Sequence, residues 1–172
     1  MVHVVMGRRC EPRATVRRPA GKGAVQRCDW TMEAERVVRE FRAGAPLDMN
    51  RLRNSLCWLF EYIALTAAAG STISRDRFHE ACENLLFEQG EAAFNRLLTP
   101  VLTALLDLSP HAARGTMSHP DFARWMRALG MNPAASLRAS EKARLRNPDE
   151  LSLQAMLHVL RDYHLAGAST SP

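Results

Sequence analysis

Six histidines and four cysteines are the side chains best suited to bind a metal or to act as nucleophiles, and their spacing supports neither role. His158 and His164 lie six positions apart, about 240° around a helix from one another, so they cannot share a ligand. No cysteine belongs to a Cys-x-x-Cys pair, and Cys57 and Cys82 fall on apolar helical faces typical of core residues. No phosphate-binding, dinucleotide-binding, nucleophile-elbow or zinc-protease motif occurs. We therefore predict no catalytic residue, no cofactor-binding residue, no metal ligand and no enzymatic activity.

Three segments share a junction in which a large apolar residue is followed at once by Ser, with another apolar residue four positions after that Ser. Each Ser is expected to be an N-cap that accepts from the free amides of the first helical turn, worth about 1 kcal/mol. The apolar residue before it would fix the loop against the core. The three pairs are Ile73 with Ser74, Met117 with Ser118, and Leu151 with Ser152.

Apolar residues recur at spacings of three and four from Trp30 onwards, and no segment alternates with a period of two. This pattern predicts an all-α body whose seven helices lie near residues 30–41, 52–63, 78–86, 94–106, 122–129, 134–145 and 153–163. Pro100 is expected either to kink the fourth helix or to begin its main part. With 172 residues, the chain is long enough to bury a core without disulfides or metal.

The three junctions resemble the second half of the EF-hand loop, which has an aliphatic residue at position eight, an N-cap at nine and an acid at twelve. The resemblance is to bacterial EF-hand proteins of the calerythrin and sarcoplasmic calcium-binding protein type, and it covers residues 50–165. It rests mainly on residues 94–107 and 122–130, similar to a third hand, and on residues 157–164, similar to a closing helix. It implies paired helix–loop–helix units joined through their eighth positions, with Met117 next to Leu151.

The ligand positions depart from this family. Calcium takes six to eight oxygens from loop positions one, three, five, seven, nine and twelve. Those positions hold Thr66, Ala68, Gly70, Thr72, Ser74 and Arg77 in the 66–77 loop; Pro110, Ala112, Arg114, Thr116, Ser118 and Asp121 in the 110–121 loop; and Arg144, Arg146, Pro148, Glu150, Ser152 and Ala155 in the 144–155 loop. Arginine at positions one and twelve would repel a divalent cation. We predict three degenerate loops, with calcium as a ligand only if they retain weak binding.

Two alternatives concern the loops. If Asp107 were the first ligand of the second loop, that loop would be three residues too long. A further hand near residues 41–51, with Leu47 at position eight, is expected to be truncated or absent. Ile73 would then pair with Leu47 or have no partner.

The basic charge is concentrated at the N-terminus, where residues 1–28 hold seven basic side chains and one acid, whereas residues 29–172 hold 16 basic and 17 acidic side chains. We predict a disordered basic arm over residues 1–29, an EF-hand-like domain over 30–165 and a flexible tail over 166–172. The arm is either a contact for nucleic acid or a functionless extension, with Met32 as an alternative start.

These features favour a cytoplasmic, bacterial, calcium-independent module that acts through an unknown protein partner. The alternatives are a weak calcium buffer or sensor and a nucleic-acid-associated factor that binds through the basic arm. No stretch approaches the ~18 apolar residues of a transmembrane helix, so no membrane association is expected.

Overall fold

The computed structural model of the protein describes residues 24–41, 46–67, 72–128 and 133–168. These ranges contain seven α-helices: α1 Arg27–Phe41, α2 Pro46–Thr66, α3 Arg75–Glu83, α4 Gly90–Leu106, α5 His119–Ala128, α6 Pro133–Arg146 and α7 Leu153–Ala168. A π-helical turn, Asn84–Glu88, joins α3 to α4, and a 3-10 turn, Ala112–Arg114, follows α4. The predicted all-α class is confirmed. Pro100 lies inside α4.

Four short strands join the loops in pairs: β1 Ala24–Gln26, β2 Thr72–Ser74, β3 Thr116–Met117 and β4 Leu151–Ser152. Antiparallel pairing places Met117 opposite Leu151, as the sequence predicts, and Val25 opposite Ile73. The four helix–loop junctions therefore form two pairs. Each strand pair carries its apolar side chains inward, since Val25, Ile73, Met117 and Leu151 are all buried.

The core on which these loops rest is aromatic in the first half of the chain. Trp30, Phe60 and Phe78, from α1, α2 and α3, have ring centroids 5.8–6.2 Å apart. Phe122 and Trp125 of α5 make a similar contact at 5.6 Å. The two halves meet where α2 packs on α4 and α1 packs on α5, and the Arg124 guanidinium lies over the Phe41 ring at 5.9 Å. A single continuous core therefore supports both loop pairs.

The folded elements extend beyond the limits of 30 and 165 that the sequence predicts for the domain. Residues 24–29 belong to the folded domain because β1 pairs with β2 and α1 begins at Arg27, whereas a domain start at residue 30 was expected. A three-residue strand has no periodicity that could reveal it. The last helix runs to Ala168 rather than residue 165, since Gly167 costs only about 1 kcal/mol in a helix. The rest of the predicted arm and tail, residues 1–23 and 169–172, lies outside the described residues.

The partner of Ile73 is also different from the one expected. Leu47 lies in the first turn of α2 and not in a strand, so the segment at 41–51 does not supply a hand through that residue. The backbone that pairs with Ile73 belongs to Val25, 48 positions earlier. Residues 42–45 lie outside the described part of the chain.

Candidate calcium loops

The strand pairs fix the register of every loop, because position eight of an EF-hand loop is the residue that pairs with its neighbour. With Val25 at position eight, the sequence numbering puts Asp29 at position twelve of a further loop, of which the structure describes residues 24–29. In the 110–121 loop, Gly115 falls at position six with a φ of 64°, the left-handed backbone that the turn of a calcium loop requires there. The turn at position six is thus retained in the 110–121 loop.

The capping prediction is confirmed for all three serines. The Ser74, Ser118 and Ser152 hydroxyls accept from the amides of Arg77, Asp121 and Ala155 at 3.2–3.4 Å. These bonds stabilise the first turn of the helix that follows each loop. Position nine is therefore used to begin a helix in three of the loops.

The two acidic residues at position twelve, Asp29 and Asp121, accept hydrogen bonds from residues three positions earlier in the chain. Asp121 is only 8% exposed, accepts from the Ser118 hydroxyl at 2.8 Å and pairs with Arg124 at 3.2 Å. Asp29 accepts from the backbone amide of Gln26 at 2.9 Å. The Asp29 carboxylate therefore caps the backbone amide at the start of α1, whereas the Asp121 carboxylate is bonded to the capping serine of α5 and paired with an arginine.

Glu150, at position seven of the 144–155 loop, crosses to the neighbouring loop. Its carboxylate accepts from the Thr116 hydroxyl and lies 3.0 Å from Arg114 Nη2 and 3.3 Å from His111 Nδ1. The hydrogen bond from Thr116 lowers the pKa of Glu150, and the charges of Arg114 and His111 lower it further, against the opposing effect of burial. An ion pair between side chains thus links the two loops that a pair of metal ions would otherwise organise.

A second link joins these loops through His119, which is buried in the first turn of α5. Its Nε2–H donates to the backbone carbonyl of Asn147 at 2.7 Å, and the Ser140 hydroxyl donates to the His119 carbonyl at 3.1 Å. His119 therefore connects α5 to the 144–155 loop and to α6. No local spacing indicates this role, because Asn147 and Ser140 lie 28 and 21 positions from His119 in the chain.

Arginine occupies two ligand positions of the 144–155 loop, positions one and three. Arg146, at position three, donates to Asp162 of α7 at 2.7 Å, and Arg144, at position one, is exposed. The alternative ligand Asp107 lies after α4 and pairs with Arg51 at 3.1 Å. Within the described residues, no group of three or more His, Cys, Asp or Glu side chains is placed to hold a metal ion.

The contribution of Glu150 to stability should depend on pH. Because its pKa is lowered in the folded state, its contribution is complete above the ordinary value of 4.5 and is lost as pH falls through the lower folded value. Glu150→Gln should therefore reduce the loss of stability on acidification, measured from urea midpoints between pH 6 and pH 3. Glu141→Gln, an exposed site on α6, is the matched control. Equal acid sensitivity in wild type and Glu150→Gln would contradict the assignment.

Two features of the loops were missed by the sequence analysis. The first is the loop that ends at Asp29, although Gly23, Val25, Asp29 and Trp30 repeat the spacing of Gly115, Met117, Asp121 and Phe122 residue by residue. The second is the set of cross-loop contacts made by His111, His119 and Asp162. Those contacts join residues far apart in the chain, so no local spacing predicts them.

Four loop–helix junctions, paired two by two through position eight, define an EF-hand protein. The sequence matches no established family profile. It is 37% identical over 148 residues to calerythrin from Saccharopolyspora erythraea, covering 84% of this chain and 83% of that protein. The chain therefore belongs to the calerythrin family of EF-hand proteins.

Solved structures agree with this fold. A calcium-binding protein of Streptomyces coelicolor superposes with a TM-score of 0.70 at 20% identity, covering 83% of this chain and 87% of that one. Calcium-loaded apo-aequorin from Aequorea victoria gives 0.63 at 14% identity, covering 83% and 81%. Berovin from Beroe abyssicola gives 0.64 at 17% identity, covering 83% and 79%.

Proposed function

We propose that this protein is a calcium-independent member of its family that serves as a protein-interaction module. The observation that carries the proposal is which residues occupy the ligand positions and how those residues are bonded. Position twelve holds arginine or alanine in two loops and an internally bonded aspartate in the other two. The Glu150 ion pair and the His119 hydrogen bond link the two loops of the second pair through protein groups.

An apolar stripe on α2, consisting of the exposed Trp58 and Leu65 and the half-buried Tyr62, supports an interaction role. Trp58 is 41% and Leu65 77% exposed, and the Trp58 and Tyr62 rings lie 5.7 Å apart. Spacings of four and three place the three side chains on one face of the helix. Tryptophan and tyrosine are enriched among residues that dominate binding energy at interfaces.

A weak calcium buffer or sensor is the competing function. It is favoured by the relationship to calerythrin, by the Streptomyces coelicolor neighbour, which is a calcium-binding protein, and by the left-handed Gly115 at position six. Such a protein would gain stability from calcium and would change its partner binding with it. The calcium-independent module would do neither.

The two functions differ in the partner-binding experiment. Immobilised protein should retain the same partner from a cell extract in calcium and in chelator, because no loop changes its state. Trp58→Ser with Leu65→Ser should lose that partner, whereas Leu137→Ser with Leu145→Ser, exposed leucines of α6, should keep it. A partner retained only in calcium, or lost equally from both variants, would contradict the proposal.

Nucleic-acid binding through the basic arm stays a separate prediction. Of its seven basic residues only Arg27 lies in the described part of the chain, where it pairs with Glu61 at 2.6 Å. Affinity that falls steeply with salt would support a role for the other six, since phosphate contacts release counterions. No helix within the described residues has the length and apolar character to cross a membrane.

A further inference from the structure

An open cavity of about 290 Å³ lies against the 144–155 loop. Arg146, Ser152 and Ala155, which stand at loop positions three, nine and twelve, line it together with Asn147 and His158. In a calcium-binding hand these positions would direct oxygen ligands towards the ion. Since a water molecule occupies about 30 Å³ in the liquid, the cavity has room for a polyatomic ion.

The charge at this cavity has the opposite sign to that of a calcium site. Lys142, Arg146 and His158 gather around the single carboxylate of Asp162, at 3.5, 2.7 and 3.9 Å. Two permanent cations therefore face one anion. No carboxylate lines the cavity among the residues that the structure describes, and Glu150 is engaged by Thr116 and Arg114 of the neighbouring 110–121 loop.

Further donors lie at the same place. The 16-residue helix α7 begins at Leu153, and only its Ala155 amide is bonded to the Ser152 cap, at 3.3 Å. The remaining first-turn amides and the helix dipole favour an anion there. Arg146 has five N–H donors, and its bond to Asp162 leaves other donors for a ligand. A planar guanidinium fork matches the oxygen geometry of phosphate.

We propose that the 144–155 loop binds the phosphate group of a small soluble ligand where its relatives' loops would hold calcium, with Arg146 and His158 as the charged contacts and Ser152 with the first turn of α7 as hydrogen-bond donors. The proposal rests on the proposed calcium independence, because a divalent cation in this loop would exclude it. The loop would then be a binding site for an anion instead of a loop that has lost its ligand.

The test is a titration of the full chain with inorganic phosphate, and separately with glycerol phosphate, in about 0.15 M sodium chloride, followed by calorimetry or by amide chemical shifts. Saturable binding at about millimolar ligand or tighter is expected, centred on residues 146–158. Tighter binding of glycerol phosphate would identify a monoester, and tighter binding of inorganic phosphate a free ion. Absence of saturation by about 10 mM of either probe would overturn the proposal.

Matched variants separate a built site from general charge attraction. Arg146→Gln should weaken binding about ten-fold or more, whereas Arg144→Gln, an exposed arginine of the same loop outside the cavity lining, should change it less than two-fold. His158→Gln, which leaves the Arg146–Asp162 pair intact, should weaken binding about three-fold. Equal losses in Arg144→Gln and Arg146→Gln would refute the site. A parallel calcium titration without phosphate distinguishes failure of this site from failure of the proposed function.

Discussion

A rebuilt 110–121 loop carrying Pro110→Asp, Ala112→Asp, Arg114→Asn and Asp121→Glu is expected to bind calcium. The register is already that of a calcium loop, since Gly115 has a φ of 64° at position six and Met117 is paired at position eight. The changes supply acids at positions one and three, lengthen the acid at position twelve and remove the arginine at position five. We expect a dissociation constant of about 10⁻⁵–10⁻³ M. At about 1 mM calcium, the tighter value corresponds to about 2.7 kcal/mol of added stability.

The control for this variant is the same loop with Asp121→Gln in place of Asp121→Glu. It keeps the shape of the side chain but lacks the bidentate carboxylate that closes the site, so its calcium response should be much weaker. Both proteins are compared by melting temperature in calcium and in chelator. If neither responds, the loop backbone and not its side chains prevents binding, which would contradict the view that the loop is degenerate only in its ligands.

Val25→Asp is expected to destabilise the whole domain severely. Val25 is 2% exposed and pairs with Ile73, so the substitution removes apolar burial and places an unpaired charge against the core. Losing the burial costs about 1.5–3 kcal/mol, and an uncompensated buried charge adds several more. The summed loss of stability is comparable with the entire unfolding free energy of a typical domain, about 5–15 kcal/mol.

Ala24→Asp provides the matched control, because Ala24 is the exposed neighbour in the same strand. Its unfolding free energy should stay within about 0.5 kcal/mol of wild type. Urea denaturation followed by circular dichroism measures both variants. Equal stability of the two would show that residues 24–26 are not part of the folded domain and that Ile73 lacks this partner.

The sequence predicted the second half of the protein better than the first. Met117 and Leu151 are each followed by a serine cap and lie in loops of the expected length, so their pairing could be anticipated. Val25 is followed by Gln26 and stands in a segment rich in arginine and glycine, which suggested disorder. The composition of this segment predicts disorder, whereas its repeated Gly, apolar and Asp spacing is what identifies the loop.

The loss of calcium ligands was visible in the sequence, but what replaced them was not. Because Arg144 and Arg146 stand at ligand positions, the sequence alone predicts that they repel a cation. The partners Asp162 for Arg146 and Arg114 for Glu150 depend on how α7 and the neighbouring loop pack. Ion pairs between residues up to 36 positions apart need tertiary structure, so spacing along the chain cannot supply them.

Calorimetric titration of the wild-type chain with calcium, up to about millimolar, tests the central claim most directly. Few carboxylates of the four loops are free to coordinate the ion, and Asp121 is paired with Arg124. Three ligand positions of the 66–77 and 144–155 loops hold arginine. We expect no saturable heat and the same melting temperature in calcium and in chelator. A saturable heat accompanied by a higher melting temperature in calcium would contradict this expectation, because a ligand that binds only the folded state must stabilise that state.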